Sequence, residues 1–488
     1  MILRLKVRGF KNLLDAEVHF GAFTCVAGAN GVGKSNLFDA IQFLSGLAQQ
    51  KSLVEAALSI RGGGSTQGTG YRHIFSHYGS GFGEEILFLA DLLVPQTATD
   101  EYGQRAEASS TFLRYKLRIR NRGEHQSGPI EIVEEDLRTL RLGDFRECAP
   151  FDYSETWKKS VYQGKFKRTP LISTEDGKVK LHQDQKTGGK ALPFKASDLP
   201  RTVLSRTIAS ESPTGFCARK EMENWTFLQL EPNALRRPSA FNAPKQMGSN
   251  GDNLPAVIAR LGEERFQEIA NSLSDLNQEV RGLRVDRNEA RQQYELYVKS
   301  GATEYAAHSL SDGTLRFLSL AVLDLDPQFT GVLCMEEPEN GIHPERVSAM
   351  VELLLGIAVD SREPVDLTNP LRQVIINTHS PTLVSLVPED SLVAAEPGRS
   401  LVSHTHVQTV QFSGLDGTWR HRLGNRGVSK GVVLSYLDPT GSPKRKCEKE
   451  TGGTRAGTGA KRVKDWAVEQ LDLWSAVAEK GPEYGEGN

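Results

Sequence analysis

The chain is poor in cysteine and has no long apolar run. Its five cysteines, Cys25, Cys148, Cys217, Cys334 and Cys447, stand singly with no C-x-x-C pair. That excludes the usual zinc spacings and a disulfide framework, and a reduced, cytoplasmic setting is the expectation. No apolar stretch approaches the ~18 residues that span a bilayer, so no membrane partner is expected. The opening "MILRLKVRGF" alternates like a strand and lacks the apolar centre of a signal peptide. Heptads are not sustained over the ~3–4 repeats a coiled coil needs, which argues against long helical arms. Charge is nearly balanced, with a net value of −2, so there is no global electrostatic commitment to a polyanion. After Pro397 there is no D-x-D, the kind of carboxylate cluster a metal-dependent nuclease needs. The pair His404 and His406 is a lone H-x-H on an apparent strand and reads as surface.

What is present is concentrated in two blocks. The first is "VAGANGVGKSNLFDAIQFL", Val26 to Leu44. Gly28-Ala29-Asn30-Gly31-Val32-Gly33-Lys34-Ser35 fits G-x-x-x-x-G-K-[ST], after a buried-type strand and before a helical pattern. The glycines let backbone N–H groups approach phosphate oxygens, and the helix points its N-terminus at the negative charge. Lys34 is expected to reach the β- and γ-phosphates, and Ser35 to offer its hydroxyl to Mg²⁺.

The second block runs from His308 to Val347. "LSDGTLRFLSLAVL" places a Ser-Asp-Gly turn at the head of an apolar-periodic helix. "GVLCMEEPE" is an apolar strand ending in two carboxylates, and "VIINTHSP", Val374 to Pro381, is a third such strand ending in Thr-His-Ser. At a strand end beside the phosphate loop, Glu336 suits Mg²⁺, Glu337 suits orienting or deprotonating the attacking water, and His379 could contact the γ-phosphate.

These motifs resemble, in order, those of the ABC-type ATPase heads of the RecF, SMC and OLD-like group, over residues 1–140 and 225–400. "GANGVGKSN" is similar to their Walker A, including Asn36. "LSDGT" is similar to the ABC signature, usually Leu-Ser-Gly-Gly-Gln. "VLCMEEPENGIHP" resembles Walker B with the D-loop, and "NTHSP" the switch-histidine loop. Walker B usually ends Asp-Glu, whereas Glu336-Glu337 stands here. The usual glutamine loop is not found; Gln67, in "RGGGSTQGTG", is a poor candidate. The resemblance implies an α/β P-loop NTPase of ABC/RecF-like type, with a mixed-sheet lobe and a RecA-like lobe, using ATP and Mg²⁺. It implies two heads packed head to tail, with Ser311 and Gly313 of one facing the γ-phosphate held by Lys34 of the other. It also implies a sensor or clamp on nucleic acid that controls a separate effector such as a nuclease, in bacterial anti-phage defence. A DNA-repair clamp of RecF type is the nearest rival. A nucleotide-gated scaffold with little hydrolysis is a rival of another class.

At 488 residues the chain exceeds one simple core. The expected organisation is an N-terminal ATPase lobe at 1–140, an irregular insertion at 141–224, a C-terminal ATPase lobe at 225–400, and an extension at 401–488 that is flexible and basic in part. In the insertion, "KKSVYQGKFKR", Lys158 to Arg168, has five basic residues, no acid, and Tyr162 and Phe166 among them. It reads either as a solvated loop or as a contact for phosphates and bases. The segment Pro439 to Lys464 has eight basic and two acidic residues, a balance of +6. It is expected to be disordered when free, and "DWAVEQLDLWSAVAE" after it to be an amphipathic helix.

Overall fold

The computed structural model describes residues 1–63, 70–78, 81–123, 128–184, 191–244, 246–276, 280–402, 405–423 and 427–437. Gln67, His404, Cys447, the basic segment from Pro439 and the helix expected after it lie outside the described residues.

Three short runs, Phe23–Ala27, Gly331–Glu336 and Arg372–Thr378, are buried almost end to end. That is the pattern of parallel strands covered on both faces. They lie side by side in a six-stranded sheet of order Thr226–Leu228, Gly331–Glu336, Arg372–Thr378, Phe23–Ala27, Leu392–Val402, Thr405–Gly414. All neighbours are parallel except the last pair, an antiparallel hairpin, so this is the mixed sheet. The boundary expected at residue 400 falls inside that hairpin, whose ten residue pairs run from Val393–Gly414 to Val402–Thr405. Its polar outer strand hid the continuation of the sheet.

The second sheet has eight strands and is antiparallel throughout. Its longer members, Ile2–Phe10, Glu85–Leu93 and Phe112–Asn121, alternate buried and partly exposed positions, as a half-solvated sheet requires. The stretch expected to be irregular, 141–224, supplies three of its strands, Ile172–Glu175, Lys178–Leu181 and Leu192–Lys195. Each has four residues, too few for alternation to stand out from the surrounding Lys, Gly and Ser.

Helix Lys34–Ala48 lies between the sheets. Leu37, Phe38, Ile41, Phe43 and Leu44 share one apolar core with Val7, Phe88 and Leu117 of the eight-stranded sheet and with Val26, Cys334 and Ile375 of the six-stranded one. The rings of Phe10, Phe43 and Phe88 meet at 5.6–6.2 Å, within the range of favourable aromatic packing. On the other face, Cys25, Leu333, Met335 and Ile376 pack with helices Asp312–Leu325 and Val347–Ile357. Gln373, fully buried, fastens the sheets together: its amide donates to the carbonyls of Ile2 and Gly21, and its oxygen accepts from the Ile2 N–H. Arg372 donates to the carbonyls of Asp324, Asp326 and Phe329. A cation there satisfies the free carbonyls at the end of helix Asp312–Leu325. The helices Leu254–Leu261 and Phe266–Leu276 are short, so the described residues hold no long helical arm.

Candidate functional site

Parallel pairing brings three strand ends together. Thr378 pairs with Ala27, and Asn377 with Glu336. The phosphate loop, the Glu336-Glu337 pair and the Thr378-His379 turn therefore converge at the carboxyl end of the six-stranded sheet, where open α/β sheets bind ligands. The Gly28 N–H donates to the Thr378 carbonyl at 3.2 Å.

The loop is held by a residue that sequence reasoning did not find. Asn12, in the turn between the first two strands, donates to the Val32 carbonyl at 2.9 Å and accepts from Asn36 at 2.7 Å. Asn36 is thus part of the loop's support. Gly33 sits at φ +115°, and a Cβ there would overlap the Asn12 amide, so both backbone and space demand glycine. Asn30 and Gly31 are exposed at the loop tip. Lys34 is buried and donates to the carbonyls of Gly28 and Ala29 at 2.6 and 2.9 Å. Burial lowers its pKa, and Glu337, Glu336 and Glu339 oppose the shift. These are neutral partners that an anionic ligand can replace with stronger, charge-assisted bonds.

A second missed residue is Arg61. Its guanidinium donates to the Ser35 carbonyl at 2.6 Å, to Glu336 Oε2 at 3.1 Å and to Asp39 Oδ1 at 3.1 Å. Lys11 completes the pairing of Asp39 at 2.7 Å. Arg61 places a cation between Ser35 and Glu336, the two residues expected to hold Mg²⁺. Among the described residues no group of three or more His, Cys, Asp or Glu could hold a metal. One carboxylate and one hydroxyl suit Mg²⁺, which takes few protein ligands and fills its shell with phosphate and water oxygens.

Glu337 and His379 are in contact, His379 Nδ1 lying 2.7 Å from Glu337 Oε1. The Glu337 Oε2 accepts from Asn340 at 2.8 Å. Glu337 has φ +47°, a left-handed conformation that strains a non-glycine residue by ~1–2 kcal/mol. Its N–H donates to both the carbonyl and the side-chain oxygen of Asn377, at 2.9 and 3.3 Å. The Asn377 amide nitrogen is buried with no partner among the described residues. Beside it, Thr378 donates to Glu339, whose other oxygen is likewise unpartnered and whose pKa burial raises.

Ser311 and Gly313 stand at the head of helix Asp312–Leu325. Ser311 caps helix Asp312–Leu325, accepting from the Thr314 N–H at 3.2 Å, while Arg236 binds the Leu310 carbonyl and Asp312. Gly313 faces the Gly341 carbonyl, which would stand 3.1 Å from an added Cβ. Among the described residues no hydrogen bond or ion pair joins either one to Lys34, Glu336, Glu337 or His379.

A family model described as "AAA domain, putative AbiEii toxin, Type IV TA system" matches residues 23–145 and 177–385. No curated protein matches the chain. Among solved structures, an SMC head bound to the C-winged helix domain of ScpA aligns at 12% identity over 85% of this chain and 98% of that one, with a TM-score of 0.46. The SMC head domain from Thermotoga maritima aligns at 10% identity over 85% and 99%, TM-score 0.37. The Smc head with an extended coiled coil bound to the C-terminal domain of ScpA, from Pyrococcus furiosus, aligns at 12% identity over 85% and 96%, TM-score 0.39.

Proposed function

The chain belongs to that AAA-domain family, and from this premise we propose that it is a Mg²⁺-dependent ATPase that dimerises head to tail around ATP. The observation that carries the reading is the convergence of Lys34, Glu336 and the Glu337–His379 pair on one strand-end surface. Asn30, Gly31 and Gly33 present the loop amides to the phosphates, and Gly28, whose N–H is held by the Thr378 carbonyl, anchors the start of the loop. Lys34 leaves its carbonyls for the β- and γ-phosphate oxygens. Ser35 and Glu336 would hold Mg²⁺, which supplies charge neutralisation at the phosphates. Arg61 would then give up Glu336 and turn toward the phosphate charge. Glu337, oriented by His379 and Asn340, takes the proton of the attacking water, and His379 stands beside the γ-phosphate.

Ser311 and Gly313 lie at an anion-attracting helix N-terminus without contact to their own phosphate loop, which fits delivery to a partner's nucleotide. Closure would be gated by the γ-phosphate and released by hydrolysis. The resemblance to RecF- and OLD-like heads supports a sensor or clamp on nucleic acid that acts through a separate effector, in a cytoplasmic anti-phage role. The family's printed link to toxin–antitoxin systems supports that setting. A second reading, a nucleotide-gated scaffold with little turnover, is favoured by the Arg61–Glu336 pair, which competes with Mg²⁺.

Mixed dimers test the shared site. Ser311→Arg and Lys34→Ala homodimers should both be inactive. Mixing them creates one composite site with an intact loop and an intact signature. Recovery of part of the ATP turnover supports the head-to-tail arrangement, and no recovery in demonstrated mixed dimers counts against it. Steady-state turnover with and without nucleic acid separates the ATPase from the scaffold.

A further inference from the structure

The segment from Glu155 to Arg168 contrasts with the longer strands of the eight-stranded sheet. On the outer face of the eight-stranded sheet, Lys6 pairs with Glu17, Arg8 with Asp15, Lys116 with Glu134, and Arg120 with Glu85 and Glu131. In the segment, Lys158 pairs with Glu155 and Lys167 donates to the Asp184 carbonyl. The remaining three, Lys159, Lys165 and Arg168, are exposed, and among the described residues their side chains have neither an ion pair nor a hydrogen bond. Phe166 lies among them, 37% exposed, with the Arg141 guanidinium 5.0 Å from its ring centre.

Lys159 stands on helix Glu155–Val161, and the loop that carries Lys165, Phe166 and Arg168 is fixed. The Lys165 N–H donates to the Ser109 carbonyl at 3.0 Å, and Gly164 bridges Ser110. Gly164 has φ +91° and sits so close to the Ser109 carbonyl that a Cβ would overlap it. Thr139 accepts from the Lys167 N–H at 2.8 Å and donates to the Lys167 carbonyl at 3.0 Å. Ordering a loop is a cost of binding; here it is met in the fold. A mobile charged loop serves solubility without such fastening.

We propose that Lys159, Arg141, Lys165, Phe166 and Arg168 form a docking surface for single-stranded nucleic acid. The cations take successive phosphates, and a base stacks on the face of Phe166 left free by Arg141. An exposed ring among unpaired cations matches an unpaired base beside its phosphates. An acidic protein surface would use the cations but not the ring, and a duplex keeps its bases inside. The proposal rests on the reading above that the protein acts on nucleic acid, and it assigns that contact to the end of helix Glu155–Val161 and the loop after it.

Binding of the full chain to a fluorescent oligo-dT strand and to a duplex of equal length, across a salt series, tests it. The triple variant Lys159→Ala, Lys165→Ala, Arg168→Ala should bind the strand more weakly. Its log-affinity against log-salt slope should be shallower by ~0.7 per lost phosphate contact, about 2 in all. Phe166→Ala should weaken strand binding ~10-fold with the slope unchanged. Thermal unfolding reports that the variants fold. Strand binding by the wild type with unchanged affinity and slope in the triple variant overturns the loop assignment and leaves the functional reading intact. No strand binding by the wild type overturns both. Equal binding to duplex, with Phe166→Ala silent, overturns the single-strand assignment.

Discussion

Across the outer face of the eight-stranded sheet, charges find their complements within the chain: Arg4 and Arg114 both bind Asp91, and Arg118 and Arg120 both reach Glu85. At the carboxyl ends of the six-stranded sheet the matching is incomplete. Lys34 has carbonyls for partners, Glu337 has a strained backbone, and among the described residues one Glu339 oxygen and the Asn377 amide nitrogen have no partner. A buried polar group without a partner costs ~1–3 kcal/mol, and folds retain such costs where a ligand or a reaction repays them. The two sheets use the same residue types. On the outer face the ion pairs are closed within the chain, whereas the strand ends leave polar groups that the proposed polyanion and cation would use.

The largest test of that difference is Lys34→Ala. Charge-assisted hydrogen bonds contribute ~1.5–3 kcal/mol each, so losing two to the phosphates should reduce ATP affinity by more than ~100-fold. Calorimetric titration reads it directly. Near wild-type affinity would mean that the incomplete end is not a phosphate site.

Glu337→Gln and Asn377→Ala divide the catalytic side. Removing the base should leave ATP binding in place and slow hydrolysis by ~10²–10⁴-fold. Asn377→Ala takes away one of the two acceptors that hold the Glu337 N–H, which should let the carboxylate shift. Misplacement on the scale of 1 Å costs up to ~10²-fold in rate, so kcat should fall by ~10-fold or more with ATP affinity unchanged. Loss of affinity together with rate would instead make Asn377 a packing residue.

How much of this the chain displays in one dimension depends on distance along it. The phosphate loop, the Ser311 cap and the strand ends at Glu336 and Thr378 are local patterns, and each was legible. So were the long strands Glu85–Leu93 and Phe112–Asn121. Asn12 was not, because its role is created by a turn folding onto Val32 and Asn36. Arg61 was not, because its partner Glu336 lies in the other block and only strand pairing brings them together. Asn377 was not singled out within "NTHSP". Its contact with the Glu337 N–H comes from the register of the neighbouring strand.

A pH test sharpens the comparison from the complete side. Glu135 is a buried carboxylate between Ile130–Thr139 and the chain at 203–204. It accepts from the N–H groups of Val203 and Leu204 at 2.7 and 2.8 Å and from the Tyr115 hydroxyl at 3.2 Å. Burial nevertheless pushes its pKa from 4.5 up to about 7. The folded chain keeps this proton where the unfolded chain has released it. The contribution to stability is therefore full below about pH 4.5 and is lost as pH rises to about 7. The loss is on the order of 3 kcal/mol. Glu135→Gln carries no such proton. In denaturant unfolding at pH 5 and pH 8, the wild type should lose stability relative to this variant. Parallel pH profiles would show that the three donors hold the carboxylate ionised across the range.

The smallest effect belongs to the outer face of the eight-stranded sheet. Arg8 and Asp15 face each other on adjacent strands, with Nε 2.8 Å from Oδ1, and their side chains are 51% and 59% exposed. The attraction is screened by water and salt, and ordering the long arginine side chain offsets part of it, so such pairs contribute ~0.2–1 kcal/mol. A double-mutant cycle with Arg8→Ala and Asp15→Ala should return a coupling inside that range that shrinks at high salt. ATP turnover should be unchanged in both single variants. Asp91 gives the contrast within the same sheet. It is fully buried, with Arg4 at 2.7 Å, Arg114 at 2.6 Å and the Cys148 thiol donating at 3.2 Å. Asp91→Ala leaves two partly buried guanidinium groups without their carboxylate and should cost ~3 kcal/mol or more, again without a specific effect on nucleotide affinity. If the exposed pair proved as costly as Asp91, or if either change altered ATP binding, the eight-stranded sheet would be part of the reactive end and not its scaffold.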